Sequence, residues 1–120
     1  MEDPREAGAP EASAPEVSAV EAISLLQGNM RMVDVREQHE WDAGHAHGAQ
    51  LIPLSELRER HAELPTGRFL VICHSGGRSL RATNYLLAEG FDAVNVSGGT
   101  LAWQAADGQI EAEGPDAARV

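Results

Sequence analysis

Apolar and polar positions follow two different rhythms in the central part of the chain. Short apolar runs predict strands over 30–35, 51–52 and 93–96 and a buried strand over 69–73. Segments with helical spacing lie between these runs and predict helices over 37–43, 55–63 and 79–89, with one further helical turn over 101–103. The pattern is therefore one of strands and helices in alternation.

Local signals mark where some of these helices begin and end. Ser18 and Glu21 have the spacing of a capping box, and an apolar run with helical periodicity follows them. A helix therefore begins there and ends at the Gly-Asn pair at 28–29. Gly90 stands where a glycine commonly stops a helix, directly after the helix predicted over 79–89.

Strands that alternate with helices predict an α/β fold with a mainly parallel central sheet of about five strands and helices on both faces. In such a sheet, ligands bind at the carboxyl ends of the strands. The residues that follow Val35 and Ile72 are therefore the first place to look for chemistry.

Composition narrows the class of protein. The 120 residues suffice for one domain, and a net charge of −10 without a single Lys argues against nucleic acid or an anionic membrane as the main partner. No apolar run is long enough to span a membrane, and the N-terminus lacks the basic and apolar segments of a secretory signal. A single cysteine excludes an internal disulfide and a zinc site built from cysteines. We expect a cytoplasmic protein, because a reducing compartment keeps a thiol free.

The acidic residues concentrate at the two ends of the chain. We predict a disordered acidic N-terminal tail over 1–15, one domain over 16–109 and an acidic C-terminal tail over 110–120.

The segment after Ile72 is the most informative one, with the sequence Cys-His-Ser-Gly-Gly-Arg-Ser over 73–79. It places a thiol at the end of a buried strand, then a glycine-containing loop, then a helix start. The N–H groups of such a loop can surround an anion, and the helix N-terminus favours thiolate, which is the nucleophilic form of cysteine. Arg78 adds a cation with a fork of donors. We interpret Cys73 as a nucleophile, against the alternative of an inert cysteine packed at a strand end.

This loop resembles the Cys-x-Ser-Gly-x-Arg-Ser segment of rhodanese (thiosulfate sulfurtransferase) domains, particularly the single-domain kind. Further stretches resemble that family in the same order: Asp34-Val35-Arg36-Glu37 with Glu40-Trp41, Gly44-His45-x-x-Gly48-Ala49, Ile52-Pro53-Leu54, and Gly98-Gly99-x-x-Ala102-Trp103. The resemblance extends over about 16–106. Ala46, Leu51 and the absence of a Pro soon after Trp103 depart from the family pattern.

The resemblance implies a sulfurtransferase that moves a sulfane sulfur from thiosulfate or a persulfide donor to cyanide, a thiol or a protein cysteine. Cys73 would carry the sulfur as a persulfide, and neither a metal nor an organic cofactor is implied. A protein persulfide partner is as compatible with these residues as a small molecule. The predicted donor-binding residues are Arg36, His74, Ser75, Gly76, Gly77, Arg78 and Ser79.

Two other functions stay open. Cysteine-dependent phosphatases and arsenate reductases that resemble this architecture have five residues between Cys and Arg, whereas four separate Cys73 from Arg78. The domain could also be a non-catalytic rhodanese-fold binding module, although such modules often lack the cysteine.

Other polar residues have simpler interpretations. We expect Asp34 to cap the helix that follows it, and Arg36 to orient the loop or its anion or else to form a surface salt bridge. His45 and His47 lack a nearby third ligand candidate for a metal, so we expect His45 to be structural.

Overall fold

Five parallel strands form the central layer of the structure, a computed structural model that describes residues 14–112. In chain order the strands and helices are β1 (Glu16–Val17), α1 (Ala19–Gln27), β2 (Arg31–Asp34), α2 (Gln38–Ala43), β3 (His45–Ala46), β4 (Ala49–Leu51), β5 (Arg68–Ile72), α3 (Gly77–Ala88), β6 (Asp92–Val96), α4 (Gly99–Ala105) and β7 (Ile110–Glu111). The main sheet has the order β1-β6-β5-β2-β4, and every pair in it is parallel. The predicted α/β fold with a five-stranded parallel sheet is confirmed.

The sheet is buried on both faces because alternate residues of each strand enter different cores. Phe69 and Val71 pack with Ala82 and Leu86 of α3 on one face. Leu70 and Ile72 pack on the other face, in a cluster that includes Ala22 of α1 and Trp103 of α4. This two-sided burial explains why the strands appear in the sequence as continuous apolar runs rather than as an alternation.

The helix-boundary predictions agree with the structure where the sequence carries a capping signal. Ser18 and Glu21 form both hydrogen bonds of the capping box, each 3.1 Å long. The helix that they begin ends at Gln27 with Gly28 as its C-cap, and α3 ends at Ala88, two residues before Gly90 in its left-handed conformation. Local hydrogen bonding therefore determines these boundaries.

The helix predicted over 55–63 is wrong. Two short 3-10 helices, Leu54–Glu56 and His61–Glu63, occupy this segment. Their hydrogen bonds join residues three apart, which aligns Leu54 with Leu57 on the same side of the backbone. Both leucines face the first core, so tertiary packing favours the tighter turn over an α-helix.

Three strands of two residues each, β1, β3 and β7, were not predicted, because their residues form no apolar run. β1 pairs with β6 at the sheet edge, while β3 and β7 form a separate antiparallel pair. β7 lies at the start of the segment predicted as the C-terminal tail, and Ile110 packs against the second core. The predictions for 1–13 and 113–120 lie outside the described residues.

Parallel pairing brings the carboxyl ends of the strands to one edge. Asp34 at the end of β2 is in register with Ile72 of β5 and with Leu51 of β4. The segments that follow these strands therefore meet at a common edge, and the loop after Ile72 lies there. Within residues 14–112, every helix is too short or too polar to traverse a bilayer.

Candidate active site

Cys73 directly follows β5 and is 1% exposed. Its side chain belongs to the core on the α3 face of the sheet. Its carbonyl oxygen accepts two hydrogen bonds from Thr100, at 2.8 Å from the backbone N–H and at 3.0 Å from the hydroxyl. The thiol therefore sits on a backbone that is held rigidly at the sheet edge.

The loop after Cys73 turns back over the sulfur. The N–H of Gly76 donates to Cys73 Sγ at 3.1 Å, and Gly76 is the N-cap of α3 with a left-handed φ of 109°. The N–H groups of Gly77, Arg78 and Ser79, which open α3, donate to no carbonyl of the described residues. Free N–H groups next to a sulfur form a site suited to an anion.

The start of α4 packs directly against this loop. Gly99 has a φ of +61°, and a Cβ at this position would lie 2.5 Å from the carbonyl oxygens of both Cys73 and His74. The N–H of Leu101 donates to the His74 carbonyl at 3.1 Å. A glycine is therefore required here for α4 to approach the loop closely enough to form these bonds.

The predicted donor-binding residues of the loop occupy different environments. Ser75 and Gly77 are exposed, and the space beside the Gly77 α-carbon is open. The His74 side chain is half-buried and forms no hydrogen bond or ion pair with residues 14–112. Ser79 is fully buried and its hydroxyl donates to the Gly76 carbonyl at 3.2 Å, so its side chain supports the loop.

Arg78 forms an ion pair with Glu40, a residue that the loop motif over 73–79 does not indicate. Its Nη1 and Nη2 donate to Glu40 Oε1 and Oε2, each at 2.8 Å. These hydrogen bonds, together with the Arg78 charge, lower the pKa of Glu40 to about 2. Glu40 lies on α2, 38 residues before Arg78. Its place in the Glu40-Trp41 motif was the available signal.

Arg36 forms a buried ion pair. It is 1% exposed, its Nε and Nη2 donate to the carboxylate of Asp34 at 2.9–3.1 Å, and Nη2 also donates to the Gly44 carbonyl at 2.7 Å. The expectation of a surface salt bridge is wrong. The expectation that Asp34 caps the next helix is also wrong, because Glu37 is the N-cap of α2.

His45 lies in β3, and His47 directly follows this strand. His47 Nδ1 lies 3.0 Å and His45 Nε2 lies 3.8 Å from the carboxylate of Glu111, and the His45 ring stacks on Trp41 with centroids 3.5 Å apart. Residues 14–112 contain no group of three His, Cys, Asp or Glu side chains arranged to hold a metal.

A cavity of about 620 Å³ lies away from the loop. It is lined by residues of α1, the segment before β2, and the region around Trp103 and Gly108, with none from 73–79. The loop is exposed at the sheet edge through Ser75 and Gly77.

Comparison with known proteins points to one family. The family described as "Rhodanese-like domain" matches residues 18–106. The chain is 37% identical over 99 residues to "Thiosulfate sulfurtransferase 18" of Arabidopsis thaliana, covering 69% of this chain and 73% of that protein. It is 44% identical over 78 residues to "Probable adenylyltransferase/sulfurtransferase MoeZ" of Mycobacterium tuberculosis, covering 62% of this chain but only 20% of that protein. A rhodanese-related protein from Thermoplasma volcanium has a similar structure, with a TM-score of 0.76 and 30% identity over 82% of this chain and 99% of that one.

Proposed function

Since this chain belongs to the rhodanese-like domain family, we propose that it is a sulfurtransferase that carries a sulfane sulfur as a persulfide on Cys73. The family membership and the sulfurtransferases among its relatives support sulfur transfer in general. The nucleophile, the donor and the acceptor are our proposal, argued from the loop.

In the first half-reaction, the Cys73 thiolate attacks the outer sulfur of thiosulfate. A new S–S bond forms on Cys73, while the S–S bond of thiosulfate breaks and its electron pair leaves with sulfite. With an organic persulfide as donor, the same attack releases a thiolate instead. The free N–H groups at the start of α3 support this step, because they can stabilise the negative charge on the transferred sulfur.

In the second half-reaction, a nucleophilic acceptor attacks the outer sulfur of the Cys73 persulfide. Cyanide leaves as thiocyanate, a small thiol leaves as a persulfide, and a protein cysteine would accept the sulfur in the same way. The bond to Cys73 breaks and its electron pair returns to the Cys73 thiolate. Two half-reactions through one covalent intermediate predict ping-pong kinetics.

The observation that carries the proposal is the 3.1 Å hydrogen bond from the Gly76 N–H to Cys73 Sγ. This bond supports a loop, with four residues between Cys73 and Arg78, that fits one sulfur atom. A phosphoryl group requires a wider loop, which is why we place phosphatase chemistry second. The cysteine in an otherwise intact loop argues against a non-catalytic binding module.

The other predicted site residues receive narrower roles in this proposal. Gly76 and Gly77 supply N–H groups, and Ser75 and His74 border the opening. Arg78 stays a donor-binding residue through those of its N–H groups that Glu40 leaves free. Arg36 would act indirectly, because its buried pair with Asp34 orients the end of β2. The proposed chemistry requires no metal or organic cofactor and suits a reducing, cytoplasmic environment.

Intact mass spectrometry tests the proposal. Incubation of the protein with thiosulfate, or with an organic persulfide, should add one sulfur atom that a reductant removes. Cys73→Ser should abolish the added mass while keeping the melting temperature, since the substitution barely changes the side-chain volume. A persulfide mass on the Cys73→Ser variant, or its absence on the wild type with both donors, would refute the proposal.

A further inference from the structure

Both arginines of the predicted site, Arg36 and Arg78, form ion pairs with carboxylates. Arg36 is paired with Asp34 in the core, and Arg78 is paired with Glu40 beside the loop. The two pairs leave no net positive side-chain charge from these residues at the place where a donor would meet the sulfur. The remaining attraction for an anion comes from the N–H groups of the loop and of the α3 terminus.

Glu40 is held in place from two directions. Its Oε1 accepts a hydrogen bond from Arg78 Nη1 at 2.8 Å and another from the backbone N–H of Glu37 at 3.1 Å. The second bond belongs to the capping box that begins α2. Because the N–H of Glu37 also holds this carboxylate, we infer that Glu40 stays beside Arg78 when an anion approaches.

Arg78 belongs to the first turn of α3, two residues after Gly76, whose N–H donates to Cys73 Sγ. The pKa of Arg78 is raised, chiefly by its hydrogen bonds with Glu40 and to a smaller extent by the charges of Glu40 and Cys73. A donor bound at Cys73 therefore lies within the influence of both members of the Arg78–Glu40 pair. A carboxylate at this position opposes a second negative charge more strongly than a neutral group.

We propose that Glu40 determines the charge preference of the sulfur donor, because its pairing with Arg78 disfavours the thiosulfate dianion relative to an uncharged organic persulfide. The inference rests on the proposed sulfur transfer at Cys73 and names its preferred donor class. Glu40 acts through Arg78 and is a positioning residue rather than a catalytic one.

The test measures the loading of Cys73 in single turnovers of the full chain, followed by intact mass at a series of donor concentrations. The two donors are thiosulfate and the persulfide of N-acetylcysteine amide. Both series are run at a pH low enough to keep this persulfide in its protonated, uncharged form but above the pKa of Glu40, which is about 2. Each series gives an apparent dissociation constant and a limiting rate. These two quantities separate donor binding from the chemical step.

Glu40→Gln removes the negative charge that is paired with Arg78 while keeping the size of the side chain. We expect the apparent dissociation constant for thiosulfate to fall about tenfold, the scale of a hydrogen bond to a charged group. The constant for the uncharged persulfide should change less than about twofold, because that donor gains nothing from the freed charge. Glu40→Asp keeps a carboxylate and should retain the wild-type preference.

Glu63→Gln is the matched control. Glu63 forms an ion pair of the same kind with Arg60, but it precedes β5 whereas Cys73 follows it. This variant should leave both constants unchanged. Melting temperatures of all variants verify that they are folded.

The outcomes separate this inference from the proposed function. An unchanged donor preference in folded Glu40→Gln, or equal losses with both donors, would overturn the role of Glu40 while Cys73 loading still stands. Loss of the preference in Glu40→Asp as well as in Glu40→Gln would show that side-chain geometry rather than charge matters, which also overturns it. If neither donor loads the wild type, both proposals fail.

Discussion

Gly99→Ala should displace the loop that follows Cys73, and the structure offers a matched control for it. Gly99 and Gly67 both have left-handed backbones, with φ of +61° and +73°. Alanine at either position carries the conformational cost of that region, about 1–2 kcal/mol. Only at Gly99 would the new methyl group meet other atoms, since nothing lies within 4 Å of the corresponding position at Gly67.

The difference between the two variants can be estimated from the contacts. The methyl group that Gly99→Ala introduces would lie 2.5 Å from the carbonyl oxygens of Cys73 and His74. This distance is much shorter than an ordinary van der Waals contact of 3.4–4 Å. Relief requires the loop and α4 to separate, which strains three hydrogen bonds: two from Thr100 to the Cys73 carbonyl and one from Leu101 to the His74 carbonyl. At about 1 kcal/mol each, their loss destabilises the Gly99 variant by about 3 kcal/mol more than the control.

Thermal unfolding followed by circular dichroism measures this difference. An excess of about 3 kcal/mol corresponds to a melting temperature about 12–24 °C lower for Gly99→Ala than for Gly67→Ala. Displacement of the sulfur by about 1 Å should also slow loading of Cys73 by about 100-fold, while the control loads at nearly the wild-type rate. Equal melting temperatures and equal loading rates in the two variants would refute the view that α4 positions the loop through Gly99.

Three further predictions follow from the ion pairs and the loop size. Arg36→Met should lower the free energy of unfolding in urea by about 3–5 kcal/mol, because Asp34 is left charged and buried. Arg68→Met removes one member of an exposed ion pair and should lower it by under about 1 kcal/mol. Similar losses in the two variants would contradict the buried pair of Arg36 with Asp34. Glu40→Gln should lower the free energy of unfolding by about 1–2 kcal/mol at pH 7, after allowance for solvent screening. This difference from wild type should vanish as the pH falls from 4.5 to about 2, because Glu40, with its lowered pKa, stabilises the fold only while its carboxylate is ionised. A difference that persists at pH 2 would contradict this. The wild type should hydrolyse an aryl phosphate no faster than Cys73→Ser, and turnover that depends on Cys73 would favour a phosphatase.

The layers of the fold could be predicted because their signals are local and repeated. Each buried strand is a short apolar run. The capping box, which spans the four residues from Ser18 to Glu21, marks the start of α1. The segment over 55–63 failed as a helix because Leu54 and Leu57 meet the core at a spacing of three, which a sequence pattern does not separate from a helical one. The pairing of β3 with β7 also escaped prediction, because two-residue strands have no pattern of their own.

Within the candidate site, the sequence alone determined the order of strand, Cys73, glycine-containing loop and helix start, since these features are contiguous between 69 and 79. The tertiary structure decided which charges meet there. It paired Arg78 with Glu40 from 38 residues earlier and buried Arg36 with Asp34. Ion pairs between distant residues depend on how α2 and α3 are placed around the sheet edge. The position of α3 results from packing Ala82 and Leu86 against one face of the sheet. Local spacing records neither the placement nor the charge that remains for a donor.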